Sequence, residues 1–310
     1  MSIKQTTSHK SALKPSSLVK AFKKIPGGYR LFRLANLAAT AVRPKVVRTT
    51  FFGAKMNCDR RDYLQNTIAE FGVWEPIVSW AFQQVIKPGD TVIDVGANVG
   101  YDTLLAARLV GPSGLVISVE ASPTTYSELQ ANLALNRHFH NIEAHQLAVS
   151  DRTGTILLYS APVSNNSGTQ STVRQNASQS ATQVECQPLD RLVSAEVLRS
   201  VSFIKIDVEG AEPPIVEQLL STLHLYSVRL SLLIEMGPEA SDIFQGLLKA
   251  GFNAYALENE YTYRWYWDAA YEFKALPILQ VPMQQQDVLF TRRVLHANLT
   301  EAGDEKLRLI

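Results

Sequence analysis

The sequence predicts a doubly wound α/β domain with a mostly parallel sheet, and three observations support this prediction. From Asp90 onward, short apolar runs alternate with segments that have helical spacing, as in a sheet covered by helices on both faces. The first run, at 91–95, is rich in Val and Ile and follows a Pro-Gly-Asp turn, which is typical of a buried parallel strand. A glycine turn then leads directly into a helix, and such a junction commonly binds a nucleotide-like cofactor.

The composition is that of a globular chain. Its 310 residues are 46% hydrophobic, enough for one large core and an appendage. No apolar run reaches the roughly 20 residues of a membrane span, and the N-terminus has no secretory signal pattern. The two cysteines, Cys58 and Cys186, lie too far apart in sequence to indicate a disulfide framework or a metal site. We therefore expect a cytoplasmic protein.

Charge is distributed unevenly along the chain. Residues 1–61 contain 14 Lys and Arg but a single acid, Asp59, whereas the remainder contains 16 basic and 28 acidic residues. Residues 1–43 are predicted to form a basic arm, disordered at first and then carrying two short amphipathic helices broken at Pro26-Gly27-Gly28. Two interpretations fit this arm: peripheral contact with an anionic membrane, and packing against the acidic body. Nucleic acid is not predicted as a partner, because the arm lacks an aromatic-interleaved platform.

The other elements follow in chain order. Residues 44–86 are predicted to form a β-hairpin around Gly53 and a lead-in helix with a start signal at Pro76. The main domain is predicted at 87–295, followed by a polar tail at 296–310. A polar stretch at 163–183 and an edge strand at 183–190 interrupt the alternation of that domain. Its core strands are predicted at 91–96, 115–120, 142–149, 202–208, 229–236, 252–258 and 287–293, with helices at about 100–110, 123–136, 211–223 and 239–251.

The glycine turn has the spacing Gly96-x-Asn98-x-Gly100. Its glycines let the backbone pass close to a ligand at a helix N-terminus. Asn98 takes the place of the middle glycine of the dinucleotide-binding pattern, where a missing side chain admits a pyrophosphate. The next strand ends at Glu120, whose carboxylate suits the two hydroxyls of a ribose. This combination disfavours a nicotinamide-dependent oxidoreductase, which is kept as an alternative together with a non-catalytic nucleotide-binding module.

A second segment, Ser202-Phe-Ile-Lys-Ile-Asp-Val-Glu-Gly-Ala-Glu212, extends this pattern. Together with the glycine turn, the 141–151 run, Leu189-Asp190 and Gly72-x-Trp-Glu-Pro76, it resembles the FkbM family of methyltransferases over about residues 53–236. The resemblance implies a Rossmann-like class I methyltransferase fold with a seven-stranded sheet and S-adenosylmethionine as the cofactor. It also implies methylation of a hydroxyl on a saccharide or related small molecule. Another small-molecule oxygen or nitrogen acceptor is the alternative within this class.

The resemblance assigns cofactor binding to residues at the ends of the first strands. Glu120 matches the ribose-binding acid of the family, and Asn98 can bond the amino-acid end of the cofactor. Ser150 and Asp151 are candidates for the adenine amino group. The predicted cofactor-binding residues are Asp94, Gly96, Asn98, Gly100, Tyr101, Thr103, Glu120, Ala121, Ser122, Ser150 and Asp151.

Lys205, Asp207, Glu209 and Glu235 are the predicted catalytic residues. Methyl transfer from a sulfonium is an in-line displacement, so the protein mainly aligns the acceptor and takes its proton. Asp207 ends its strand, where open α/β sheets bind ligands, and Glu235 ends the next apolar strand. This pair can share a proton or orient a hydroxyl; a divalent metal on it is an alternative that we do not predict. Lys205 is predicted to contact Asp94, since a buried lysine needs a partner.

Glu75, Asn166, Ser171 and Trp265 are the predicted acceptor-binding residues. The segment Asn166-Ser-Gly-x-x-Ser171 resembles a polar element of the family, and a loop of this kind can cover an acceptor. The 261–271 segment is dense in aromatic residues, which can stack on sugar rings or form a satellite core.

Overall fold

The computed structural model describes residues 15–160, 180–269, 271 and 274–295, and its N-terminal part is helical. Helices α1 (Ser17–Phe22) and α2 (Gly28–Val42) flank the predicted break. Strands β1 (Lys45–Thr49) and β2 (Lys55–Asp59) form the predicted antiparallel hairpin. The first 14 residues of the arm and the polar tail at 296–310 lie outside the described residues.

Two helices, α3 (Tyr63–Phe71) and α4 (Pro76–Val85), take the place of the single predicted lead-in helix. Gly72 follows the last residue of α3; it adopts a φ of 75° and donates its backbone N–H to the carbonyl of Ile68. This left-handed glycine is a common helix terminator. Glu75 follows with a φ of 40°, and Pro76 then begins α4. The break places Glu75 on a turn rather than within a helix.

The first half of the main domain consists of β3 (Thr91–Val95), α5 (Tyr101–Val110), β4 (Leu115–Val119), α6 (Pro123–Ala134) and β5 (Ile142–His145). The three strands are parallel to one another, as predicted. Every residue of β3 is buried. Val92 packs into the core on the α5 side, whereas Ile93 and Val95 pack into a second core that includes residues of the later helices. Helices on both faces therefore account for the continuous apolar pattern of this strand.

A separate three-stranded sheet follows, made of β6 (Ala148–Val149), β7 (Gly154–Ser160) and β8 (Ser180–Gln187). Strand β8 pairs antiparallel with β7 and parallel with β6. The edge strand predicted at 183–190 thus starts earlier and belongs to this small sheet, not to the main one. The predicted strand at 142–149 is likewise divided into β5 and β6.

The second half contains α7 (Ala195–Ser200), β9 (Val201–Ile206), α8 (Glu212–Thr222), β10 (Ser231–Met236), α9 (Ser241–Lys249), β11 (Asn253–Leu257), α10 (Tyr263–Asp268), β12 (Leu276–Ile278) and β13 (Gln286–Thr291). The main sheet has the order β12-β11-β13-β10-β9-β3-β4-β5, with β13 antiparallel to both of its neighbours. This confirms the doubly wound, mostly parallel fold, and β12 adds an eighth strand to the seven predicted. Strand order changes direction between β3 and β9, where such sheets bind ligands.

The arm packs against the body of the protein. Phe32 of α2 is fully buried, and its ring centroid lies 5.1 Å from that of Trp267 and 5.9 Å from that of Phe71. Ser16 donates a hydrogen bond to the buried Glu70, which also pairs with Arg60 at 2.9 Å. Within the described part of the chain, no helix is long and apolar enough to cross a membrane.

Candidate active site

A cavity of about 290 Å³ lies at the carboxyl ends of β3, β4, β9 and β10. It brings residues predicted for the cofactor together with residues predicted for catalysis and acceptor binding. From the predicted cofactor set, Gly96, Asn98, Glu120 and Ala121 line it; from the other predicted sets, Glu75, Asp207, Glu209 and Glu235 do.

The glycine turn is shaped by its neighbours. Gly96, Asn98 and Gly100 have φ values of 80°, 49° and 89°. A Cβ on Gly96 would lie 1.8 Å from the carbonyl oxygen of Asp207, and one on Gly100 would lie 2.5 Å from Cδ1 of Leu129. Gly96 is therefore required by close packing against backbone as well as by its own conformation, whereas Gly100 meets only the end of a leucine side chain and is favoured mainly by its positive φ. The sequence suggested that Gly96 makes room for a ligand. These contacts show that it makes room for the carbonyl oxygen of Asp207.

Glu120 joins this turn to the end of β4. One carboxylate oxygen accepts the N–H of Asn98 and the other accepts the N–H of Ser122, both at 2.8 Å. Burial raises the pKa of Glu120, and these two N–H groups oppose that shift. Each oxygen keeps a second lone pair for a ligand hydroxyl.

Asn98 presents a polar atom that needs a partner. Its side-chain oxygen is buried and has no hydrogen-bond partner. A buried acceptor without a partner costs free energy, and a ligand donor at the cavity wall would satisfy it. The acceptor oxygens of Asn98 and Glu120 therefore fit a ligand with an amino group and neighbouring hydroxyls, as in S-adenosylmethionine.

Four residues of the predicted cofactor set lie behind the turn and do not line the cavity. Asp94 accepts a hydrogen bond of 2.5 Å from Thr103, whose hydroxyl is also 3.0 Å from that of Ser118. The hydroxyl of Tyr101 lies 3.2 Å from that of Ser79 on α4. Together with Gly100, these residues fix the start of α5 through contacts in the protein interior, away from the cavity.

Ser150 and Asp151 also lie outside this cavity. They line a separate depression beside β7, where Ser150 donates to Asp151 at 3.0 Å. The side chain of Ser122 caps α6 by accepting the N–H of Thr125 at 3.3 Å. The apolar wall next to Glu120 comes instead from residues that the sequence prediction missed, namely Val119, Leu147, Ala148, Val149 and Leu158. Such a wall suits a flat ring such as adenine.

Lys205 is buried between two carboxylates. Its ammonium nitrogen lies 2.9 Å from Oδ2 of Asp207 and 3.4 Å from Oδ2 of Asp102. Asp94 is the direct neighbour of Lys205 in the pairing of β3 with β9, and Lys205 lowers the pKa of Asp94 against the larger, opposite effect of burial. The closest side-chain bond of Asp94 is made to Thr103, so the predicted contact with Lys205 is electrostatic and not a salt bridge. Burial alone would lower the pKa of Lys205, but the carboxylates outweigh it and hold the pKa well above its usual value. The lysine therefore remains charged and fixes Asp207.

Asp102 and Asp287 are buried acids that the sequence prediction missed. Burial raises the pKa of Asp102 to about 6, opposed by Lys205. Asp287 lies opposite Glu235 in the pairing of β13 with β10. Burial, reinforced by Asp207, raises the pKa of Asp287 to about 7.

The predicted acids of the cavity share this environment. Burial raises the pKa of Glu235 to about 9, with further contributions from Asp207 and Asp287. Burial and Asp207 raise the pKa of Glu209 to about 7. Burial and Asp287 raise the pKa of Glu75 well above its usual value. Part of the cluster therefore holds protons at neutral pH.

Asp207 and Glu235, the two acids that could bind a divalent metal in the alternative interpretation, both line the cavity. Across the described ranges, no group of three or more His, Cys, Asp or Glu side chains could hold a metal ion.

The wall of the cavity around Glu75, a predicted acceptor-binding residue, is aromatic. Glu75 accepts the hydroxyl of Tyr261 at 2.8 Å, and Tyr63 and Trp74 line the same wall. Trp265 is not part of this lining; its ring packs on those of Tyr266 and Tyr271, at centroid distances of 5.3 and 4.8 Å. Asn166 and Ser171 lie outside the described residues.

Known proteins are similar to the part of the chain that contains this cavity. A family model described as the methyltransferase FkbM domain matches residues 94–263. An arsenite methyltransferase of Halobacterium salinarum is 36% identical over 77 residues, which are 24% of this chain and 20% of that protein. The 31-O-demethyl-FK506 methyltransferase FkbM of Streptomyces tacrolimicus is 39% identical over 69 residues, which are 22% of this chain and 25% of that protein. The matches thus span a quarter or less of these relatives.

Two solved structures are similar to this chain at low sequence identity. An O-methyltransferase from Thermotoga maritima is 16% identical, with a TM-score of 0.40, over 82% of this chain and 79% of that chain. Aeropyrum pernix fibrillarin, in complex with S-adenosyl-L-methionine, is 12% identical, with a TM-score of 0.40, over 80% of this chain and 94% of that chain.

Proposed function

The chain belongs to the FkbM family of methyltransferases, and we propose that it uses S-adenosylmethionine to methylate a hydroxyl of a saccharide or related small molecule. One observation carries this proposal: a single cavity is lined both by the turn and acid suited to the cofactor and by a cluster of carboxylates suited to an acceptor. Methyl transfer requires both ligands in one site, because the acceptor atom must align with the transferred methyl.

The cofactor would be held by three parts of the cavity. Glu120 would accept the ribose hydroxyls with its remaining lone pairs, and Asn98 would accept the amino group of the methionine portion. The apolar wall formed by Val119, Ala148 and Val149 would cover the adenine. When bound, S-adenosylmethionine supplies an electrophilic methyl group on a positively charged sulfur.

The protein's own residues would orient the acceptor and take its proton. Asp207, fixed by Lys205 at 2.9 Å, would accept a hydrogen bond from the acceptor hydroxyl. Glu209 has a pKa raised to about 7 by burial and by Asp207, close to the value that suits a general base at neutral pH. Glu235, with a pKa of about 9 from burial and neighbouring acids, would remain protonated and donate a hydrogen bond to the acceptor.

A polyhydroxylated ring fits the acceptor side. Tyr63, Trp74 and Tyr261 offer aromatic surface for the apolar face of a sugar, while the carboxylates offer hydrogen-bond acceptors for its hydroxyls. The Streptomyces relative is named for an oxygen methylation, which supports an oxygen acceptor here. The Halobacterium relative is named for arsenite; neither Cys58 nor Cys186 is among the residues that line this cavity, so it offers no soft thiolate ligand.

A nitrogen acceptor is the second candidate. The cavity is lined by Glu75, Glu120, Asp207, Glu209 and Glu235, whereas the ion pairs of the described chain place one buried cation, Lys205, beside them. An excess of carboxylates favours an amine that binds as a cation. The amine would give its proton to a carboxylate before its lone pair attacks the methyl group. The site of methylation in the product distinguishes this candidate from the hydroxyl.

Calorimetry tests the cofactor. We expect the full chain to bind S-adenosylhomocysteine and to show no comparable affinity for NAD, because Asn98 stands where dinucleotide sites need a glycine. Tight NAD binding without S-adenosylhomocysteine binding would instead support the oxidoreductase alternative.

Labelled methyl transfer tests the reaction. The chain is incubated with methyl-labelled S-adenosylmethionine and fractionated cell saccharides, lipids and amines, and products are identified by mass spectrometry. We expect the label on an oxygen of a saccharide-like product. For Asp207→Asn we expect turnover to fall about 100-fold or more, with S-adenosylhomocysteine affinity largely kept, because the charged orienting group is lost. Undiminished turnover would remove Asp207 from the mechanism.

A further inference from the structure

Helix α2 carries a row of exposed apolar side chains. Leu31, Leu34, Leu37 and Val42 are 45%, 66%, 70% and 86% exposed. Helical spacing places them on one side of α2, together with the exposed Ala38. Four large apolar side chains grouped on one helix differ from scattered surface leucines, which are common and need no explanation.

The opposite side of α2 is already buried in the protein. Gly28, Phe32 and Asn36 are its buried residues, and Phe32 packs between Phe71 and Trp267. The helix is thus apolar on two sides, and only one side is covered by the body. Because Phe32 anchors it, α2 presents the exposed row outward in a fixed orientation.

Exposed basic side chains lie on α1 and α2 and at the ends of these two helices. Lys20, Lys24, Arg30 and Arg43 are exposed on α1, α2 and their adjoining turns. Among residues 15–61 there are 11 Lys and Arg and one acid, and three further lysines precede them in the sequence. An apolar row flanked by cations complements a surface that combines acyl chains with negative headgroups.

We propose that the α2 face, defined as Leu31, Leu34, Leu37 and Val42 with the flanking Lys20, Lys24, Arg30 and Arg43, docks onto an anionic lipid bilayer. The leucines enter the boundary between headgroups and acyl chains, and the basic groups pair with lipid phosphates and anionic headgroups. The contact is peripheral, since no described helix is long and apolar enough to cross a membrane. A second copy of the chain is a poorer occupant, because a two-fold interface on this face would bring the same basic groups together.

Vesicle flotation tests this inference independently of methyl transfer. The full chain is mixed with phosphatidylcholine vesicles or with vesicles containing roughly 30% phosphatidylglycerol, and bound protein is measured against lipid concentration. We expect at least about 10-fold tighter binding to the anionic vesicles and weaker binding at high salt, because salt screens the charges.

Matched variants locate the contact. Leu34→Glu with Leu37→Glu is expected to reduce binding to anionic vesicles about 10-fold or more, because two charges replace the apolar contact. The control, Val228→Glu with Leu279→Glu, changes two residues that are 80% and 81% exposed elsewhere on the protein, and is expected to bind like the wild type. Unchanged S-adenosylhomocysteine affinity and melting temperature show that both variants are folded.

Three results would overturn the inference. The first is failure of the wild type to bind anionic vesicles, and the second is equal binding to neutral and anionic vesicles. The third is a dimer in sedimentation velocity that Leu34→Glu with Leu37→Glu dissociates, since this would identify a second copy as the occupant.

Discussion

Single residues of the cavity are held by bonds from several elements. Lys205 on β9 fixes Asp207 and is itself held by Asp102 of α5. Asn132 of α6 is buried; it donates a hydrogen bond to the carbonyl of Val99 and accepts one from the N–H of Asn57 on β2. The glycine turn is therefore tied to the N-terminal hairpin, which gives residues outside the main domain a role in positioning it.

Glu120→Ala tests the predicted ribose contact. Its removal leaves the N–H groups of Asn98 and Ser122 without their partner and removes both carboxylate oxygens from the cavity wall. We expect the dissociation constant for S-adenosylhomocysteine, measured by calorimetry, to rise about 10-fold or more. Glu143→Ala, an exposed acid on neighbouring β5, is the control and should bind normally. Equal affinities of the two variants would contradict a ribose contact by Glu120.

The sequence predicted some acids of the cavity because they end apolar parallel strands. Asp207 and Glu235 have this pattern, and both line the cavity. Asp102 could not be distinguished from an ordinary surface acid, because it lies in the first turn of α5 and acids are favoured in the first turn of any helix. Asp287 could not be found without the topology: β13 is antiparallel, so its first residues lie at the carboxyl edge of the parallel strands. An acid at the start of a final antiparallel strand is the signal that would have identified it.

Elements meet at this cavity with little free space. The carbonyl of Asp207, after β9, lies where a Cβ on Gly96, after β3, would be. The approach follows from the pairing of β3 with β9, since the N–H of Asp207 bonds the carbonyl of Val95 at 3.1 Å. The same close contact holds the glycine turn and the candidate catalytic segment in register.

Gly96→Ala tests that contact. The added methyl group would lie 1.8 Å from a backbone oxygen, so one strand end must move. We expect the melting temperature to fall by about 10 °C, or the protein to be insoluble, since overpacking adds to backbone strain. Gly27→Ala is the control: Gly27 also has a positive φ, 70°, in the left-handed region, but has no atom within 4 Å of an added Cβ. It should lose only the cost of left-handed backbone, about 1–2 kcal/mol. Similar melting temperatures for both variants would rule out the clash.

Sequence periodicity located the buried elements better than the exposed ones. The core strands were predicted because burial on both faces makes them continuously apolar, as in β3. Strand β8 was predicted to begin at 183 but starts at Ser180, where Ser, Ala, Thr and Gln give no apolar signal. Its partner β7 was not predicted, and neither was their separation from the main sheet. Pairing between strands is a tertiary property that local patterns do not contain.

Across the whole molecule, charge is separated into two regions. Exposed basic groups belong to the α2 face, whereas buried and half-buried acids line the cavity. This separation gives the two proposals different dependences on conditions: salt weakens the contact of exposed basic groups with lipid, but screens buried carboxylates much less. The buried acids should instead respond to pH.

Stability should decrease as pH rises through neutrality. Burial and neighbouring acids raise the pKa of Glu235 from 4.5 to about 9, and burial raises that of Asp287 from 3.8 to about 7. Above about pH 4, the folded state therefore binds more protons than the unfolded state, so stability falls until pH passes about 9. We expect the melting temperature to be several degrees lower at pH 9 than at pH 6. Glu235→Gln, which stays neutral, should reduce this difference, whereas Glu143→Gln on exposed β5 should keep it. A melting temperature that rises from pH 6 to pH 9 would mean that these carboxyl groups are not held protonated by the fold.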